Sequence, residues 1–149
     1  MTTHTTARAR STSSRRAGYA VTIVVDAVLL YLVNVSPGWQ ALPFLTDGFA
    51  EVLPLVNVSL VAGLLVNAVQ LVVDPRWLVA SGQAVLAAIA LAVSVELLRV
   101  FPFDFSTYSF DWELLTRVVL WVAVLGSAIG VVASLVQIGR ARVGGTLWQ

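Results

Sequence analysis

One acid stands inside an otherwise apolar run: Asp26, in the stretch TIVVDAVLL at residues 22–30. A charged side chain at the middle of a bilayer costs about 2.5–3.5 kcal/mol on an insertion scale. A carboxyl placed there therefore needs either a polar neighbour or a use. Two chemistries suit it. Protonated and hydrogen-bonded to side chains on other helices, it would hold helices together. Exchanging a proton or a cation, it would be a binding site, because lost hydration disfavours the charged form. The candidate neighbours are Thr22, one turn earlier, Asn67 in the second apolar run and Gln83 in the third. Counted along the helix axis, Asp26 lies about 13–14 Å from its inner boundary, and Asn67 and Gln83 about 9 Å from theirs. One intramembrane polar site built from Asp26, Asn67, Gln83 and Thr22 is expected. Tyr19, Thr22 and Asp26 share one helix face. Ser59, Gly63, Asn67 and Gln70 form a stripe of small and polar residues, of the kind that marks helix–helix interfaces in membranes.

A second group of charges lies at the other end of the spans: Glu96, Arg99, Glu113 and Arg117. Glu96 and Arg99 are spaced i, i+3 and Glu113 and Arg117 i, i+4, so each acid can pair with the arginine on its own helix. Either arginine can also extend to the lipid headgroups. These local pairs account for most of the cluster, and a functional outer site is the alternative. Gly126 and Gly130 form a GxxxG pair, extended by Ser134, and Ala84, Ala88 and Ala92 offer small residues at the same period on the third run. Close approach of those two helices within the bundle is expected; a dimer face is the other use of such spacing.

Little else in the chain carries chemistry. The one histidine is His4, outside the apolar runs, and there is no cysteine. Thiol redox chemistry, thiolate metal sites and bis-histidine haem ligation are thereby removed. No phosphate-binding glycine loop, HExxH, GxSxG or dinucleotide fingerprint occurs. No catalytic residues, bound metal, cofactor or nucleic-acid partner are expected.

The elements that must position Asp26 follow from length and hydropathy. Of 149 residues, 58% are hydrophobic and 11% charged, against about 25% charged in a soluble domain. The expected fold is all-α: a polytopic membrane protein whose four-helix bundle spans the bilayer at about 17–35, 51–73, 77–100 and 112–138. Each run reaches the roughly 20 residues a spanning helix needs, and SPG, DPR, Pro102 and GRAR punctuate their ends. β-barrel strands would be near ten residues long and alternating, and these runs are neither. Arg8, Arg10, Arg15, Arg16, Arg76, Arg140 and Arg142 all fall on one side of this layout, while Asp47, Glu51, Glu96, Asp104, Asp111 and Glu113 fall on the other. The positive-inside rule then places both termini in the cytoplasm. Residues 1–16 are polar and arginine-rich and are expected to be a disordered tail; residues 139–149 are expected to be a second short cytoplasmic tail. A cleaved signal peptide fits poorly: the first run is long, contains Asp26 and has no A-x-A-like site after it. All nine basic residues are arginine and Ala, Val, Leu and Gly abound, which suggests GC-rich coding and a bacterial plasma membrane.

The two outer loops, SPGWQALPFLTDGFAEV and FPFDFSTYSFDW, are long and aromatic. Their rings are expected at headgroup depth as an interfacial belt; a lid or docking surface over the bundle is the alternative. LVNVS occurs at 32–36 and again at 55–59, too short an echo to mark a duplication. Both NVS triplets match the glycosylation pattern, but Asn57 lies within a span and Asn34 at a helix end. Four spans with one acid in the first resemble the small multidrug resistance exporters in layout. The chain departs from them in carrying Asp rather than Glu, longer outer loops and an arginine-rich segment before span one, and no residue motif is shared. That resemblance implies proton-coupled cation transport at Asp26. The absent catalytic motifs and the elaborate outer loops favour a different expectation: an accessory or structural protein that binds lipid, a membrane partner or a second copy, without turnover.

Overall fold

A computed structural model describes residues 3–73 and 75–143 of the chain. It is all-helical among the described residues: α1 (Thr3–Asn34), a 3-10 turn (Trp39–Ala41), α2 (Phe49–Val72), α3 (Arg76–Val100) and α4 (Trp112–Val143). All four α-helices are long and apolar enough to cross a membrane. The chain thus has the make-up of a small multi-pass membrane protein.

The boundaries have local causes. The chain turns after α1 through Gly38, whose φ of 83° suits glycine and whose N–H donates to Leu32 O at 2.9 Å. α3 follows Pro75 directly and stops at Phe101, a left-handed residue before Pro102. Asp111 caps α4, its Oδ1 accepting the Leu114 N–H at 3.0 Å.

Two helices overrun the expected spans. α1 continues through residues 3–16, which were expected to be disordered, and α4 continues past Ile138 to Val143. A helix already nucleated by its apolar run extends at little cost, and alanine and arginine are good helix formers. Residues 1–2 and 144–149 of the expected tails lie outside the described residues.

Helices pack only on their sequence neighbours: α1 on α2, α2 on α3, α3 on α4. Among the described residues α1 and α4 do not meet, so the four helices form an open layer. The outer loops clasp its far end. Leu45 and Phe103 form an antiparallel bridge, with Thr46 N–H donating to Pro102 O at 3.0 Å and Asp104 N–H to Phe44 O at 2.9 Å. Phe49, Val52 and Pro102 are buried at this end of the fold.

A candidate site on the open side of the helix layer

α1 presents Tyr19, Ile23, Asp26, Leu30 and Val33 half-buried toward α2, at the i, i+4, i+7 spacing of a packed seam. Asp26 lies directly against Gly63. A methyl group on Gly63 would stand 3.2 Å from Asp26 Cγ and nearer still to Oδ2. The glycine thus forms a notch that seats the carboxyl on α2. Yet Asp26 makes no hydrogen bond or ion pair among the described residues. It is seated by shape and left without a polar partner.

The other expected members of the site do not gather around it. Asn67 is buried, but its Nδ2 donates back to Gly63 O at 2.7 Å. The Thr22 hydroxyl is exposed and donates to Gly18 O at 3.0 Å, within α1. Gln83 is exposed, and it sits on α3, which does not touch α1. The expected four-residue site is therefore corrected to a smaller unit, Asp26 on Gly63 with Asn67 one turn away. Gln83 faces the same side of the layer from a distance.

That common side follows from helix geometry. On α2, Asn57 meets α1 and Val66 meets Gly82 of α3; at about 100° per residue, Gly63 and Asn67 fall in the arc between them. On α3, Gly82 meets α2 and Ala87 lies 3.4 Å from where a Gly130 methyl would stand on α4. Gln83 and Ala90 fall in the arc between those contacts and are exposed. α2 and α3 run antiparallel, so both arcs face the same side of the layer; on α2 that arc is buried, and the exposed Val58, Val61, Leu65 and Val69 lie on the opposite one.

Two further polar features lie outside the expected site. Gln70 is 1% exposed, packed against Gly82 between α2 and α3, and neither amide atom has a hydrogen-bond partner. A methyl group on Gly82 would meet Gln70 Nε2 at 2.6 Å and Val66 Cγ1 at 2.7 Å. The signal for Gln70 was its place on the α2 stripe, one heptad from Gly63. The second feature is a reciprocal amide pair: Asn34 Nδ2 donates to Asn57 Oδ1 and Asn57 Nδ2 to Asn34 Oδ1, each at 2.8 Å. The two copies of LVNVS thus meet at their asparagines and pin α1 to α2.

The outer charges pair along their own helices. Arg99 binds Glu96 through Nε at 3.0 Å and through Nη2. Arg117 binds Glu113 through Nε and Nη2 at 3.2 and 3.0 Å. The Arg117 guanidinium also lies 4.1 Å from the centre of the Phe101 ring, joining α4 to the end of α3 by a cation–π contact. Phe101, Phe103, Phe105 and Phe44 stack in succession within the clasp, whereas Tyr108, Phe110 and Trp112 remain exposed. Tyr108 still meets the edge of the cluster at Phe105. In the loop between α3 and α4, hydrogen bonds from the Ser106 hydroxyl and N–H hold the Asp104 carboxyl below the usual carboxylate range. On α4, Gly130 packs toward Ala87, but Gly126 is exposed and meets nothing within 4 Å. The two glycines of the GxxxG pair therefore serve different surroundings, and Ala88 and Ala92 point away from α4, exposed.

No family model, curated protein or solved structure matches this chain.

Proposed function

We propose that this chain is a multi-pass membrane protein that acts by binding a partner within the bilayer, without catalytic turnover, and that Asp26 is the group through which it binds. Both termini lie in the cytoplasm in this reading, supported by the arginines clustered on one side of the four spans, and the membrane is a bacterial plasma membrane. The observation that carries the proposal is the seated but unpartnered carboxyl of Asp26 on the open side of the helix layer. A carboxyl serving only to join α1 and α2 would be hydrogen-bonded across their seam, as Asn34 and Asn57 are. Asp26 instead keeps its hydrogen-bonding capacity for a group outside the chain.

The test is a photo-crosslinking residue at Leu29, one turn from Asp26 and exposed, in native membranes. Binding predicts a protein adduct of defined mass that disappears with Asp26→Leu. Absence of any protein adduct with the unaltered acid overturns the reading.

A second reading draws on the same open carboxyl: proton- or cation-coupled transport with Asp26 as the binding group. In liposomes, a proton gradient would then drive cation movement that Asp26→Asn abolishes while the fold is kept. A gradient-independent, Asp26-independent background leaves the binding reading alone.

A further inference from the structure

We propose that the partner is a second copy of this chain, docked on the open side so that Asp26 of each copy accepts a hydrogen bond from Gln83 of the other. This rests on the reading of Asp26 as a binding group and names what it binds. Among the described residues each chain carries an unpartnered acceptor on α1, Asp26, half-buried, and an unpartnered amide donor on α3, Gln83, exposed, and the helix geometry turns both toward the same side of the layer. They do not meet within the chain: α1 and α3 do not pack on one another, and neither side chain is hydrogen-bonded among the described residues. Their depths match. Asp26 sits level with Gly63, about 13–14 Å from the inner end of α2, and Gln83 lies about 10–11 Å from the inner end of α3. The difference is within the reach of the two side chains. A two-fold axis along the membrane normal keeps every residue at its own depth and makes the contact twice, as an isologous interface requires. Closing two open layers face to face also removes the exposed Gln83 amide from lipid, where an unsatisfied polar group costs several kcal/mol.

A cationic partner group at this depth is not available from a second copy. All nine basic residues are arginines, and none lies within two helical turns of Asp26 in sequence. The amide of Gln83 is the donor the sequence offers at the matching level. An amide suits a neutral, protonated carboxyl as well as a charged one, since it can donate to either form and accept from the acid.

The chain contains no cysteine, so introduced cysteines report without background. Leu29→Cys in one tagged copy and Ala90→Cys in a differently tagged copy are co-expressed in one membrane. Both positions are exposed, on the uncovered side and near in depth. The expected result is a disulfide-linked heterodimer carrying both tags. Adding Asp26→Leu or Gln83→Leu to both copies weakens dimerisation roughly tenfold, as two membrane hydrogen bonds of average strength would. The exchange Asp26→Gln with Gln83→Asp restores the cross-link, which a mere folding defect would not allow. Unaltered chains that stay monomeric by mass and form no cross-link overturn the proposal, as does a cross-link indifferent to both substitutions. If the Leu29 photo-adduct is then a different membrane protein and still needs Asp26, the binding reading stands and the second copy is excluded. If there is no protein adduct either, both fall.

Discussion

Gly63→Ala is the substitution most sensitive to how Asp26 is held. In an open helix position, glycine to alanine is favourable by up to about 1 kcal/mol, since alanine is the better helix former. At Gly63 the new methyl would stand 3.2 Å from Asp26 Cγ and inside contact distance of Oδ2. Overpacking of this kind costs about 1–3 kcal/mol, so the net effect is a loss of about 1 kcal/mol. In an Asp26→Ala background the obstacle is gone and Gly63→Ala reverts to neutral or stabilising, giving a coupling of about 1–3 kcal/mol between the two positions. Gly126→Ala is the internal control, because nothing lies within 4 Å of its added methyl. The assay is reversible unfolding in mixed micelles of the four variants of the cycle and the control. If Gly63→Ala behaves as Gly126→Ala does, or if its effect is the same with and without Asp26, the carboxyl is not seated in that notch and the site described above is wrong.

Other consequences are open to measurement. Asn34→Leu and Asn57→Leu should each destabilise, and their cycle should show a coupling of about 1.2 kcal/mol, two bonds at about 0.6 each; independent effects would contradict the reciprocal pair. Asp104 is held below the ordinary carboxylate range by Ser106. Its contribution to the loop is complete above the unfolded value of about 3.9 and is lost as pH falls through the lower folded one. The Ser106 amide resonance should therefore titrate with a midpoint below about 3.9, and a midpoint at or above it would remove the Asp104–Ser106 contact. Reporter fusions at residues 1 and 149 should both report a cytoplasmic location, and a C-terminus on the far side would break the four-span arrangement.

What the sequence makes legible is what lipid dictates. A run of apolar residues long enough to cross the bilayer is visible without a fold, so α3 and α4 begin within a residue of the expected starts at 77 and 112. Helix rotation is much less visible. These helices are apolar nearly all round, and in lipid both faces are apolar by necessity, so no polar face marks the outside as it does in water. Gln83 and Gln70 therefore look alike in sequence, yet the first is exposed and the second buried. Small residues gave better guidance. The Ser59–Gly63–Asn67–Gln70 stripe on α2 does face its neighbours, and Gly63 is where the acid sits. The LVNVS echo is too short to read as a repeat, but its asparagines are partners because α1 and α2 fold back at matching depth. The clasp of the outer loops was not legible, since two aromatic segments read equally as a belt; what separates them is backbone pairing between Leu45 and Phe103, more than fifty residues apart. Helix ends outside the bilayer were missed for a simpler reason: hydropathy reports where lipid stops, and α1 and α4 do not stop there.

The central claim is that Asp26 binds outward and does not hold α1 to α2. Its most direct test is the unfolding free energy of the monomeric Asp26→Ala protein, measured alongside its self-association in the same micelles. Since the carboxyl makes no hydrogen bond among the described residues, monomer stability should stay within about 1 kcal/mol of the parent, around the average for one membrane hydrogen bond, while association falls roughly tenfold. A monomer destabilised by clearly more than that, with association unchanged, would show that Asp26 holds the helices together and would contradict the account.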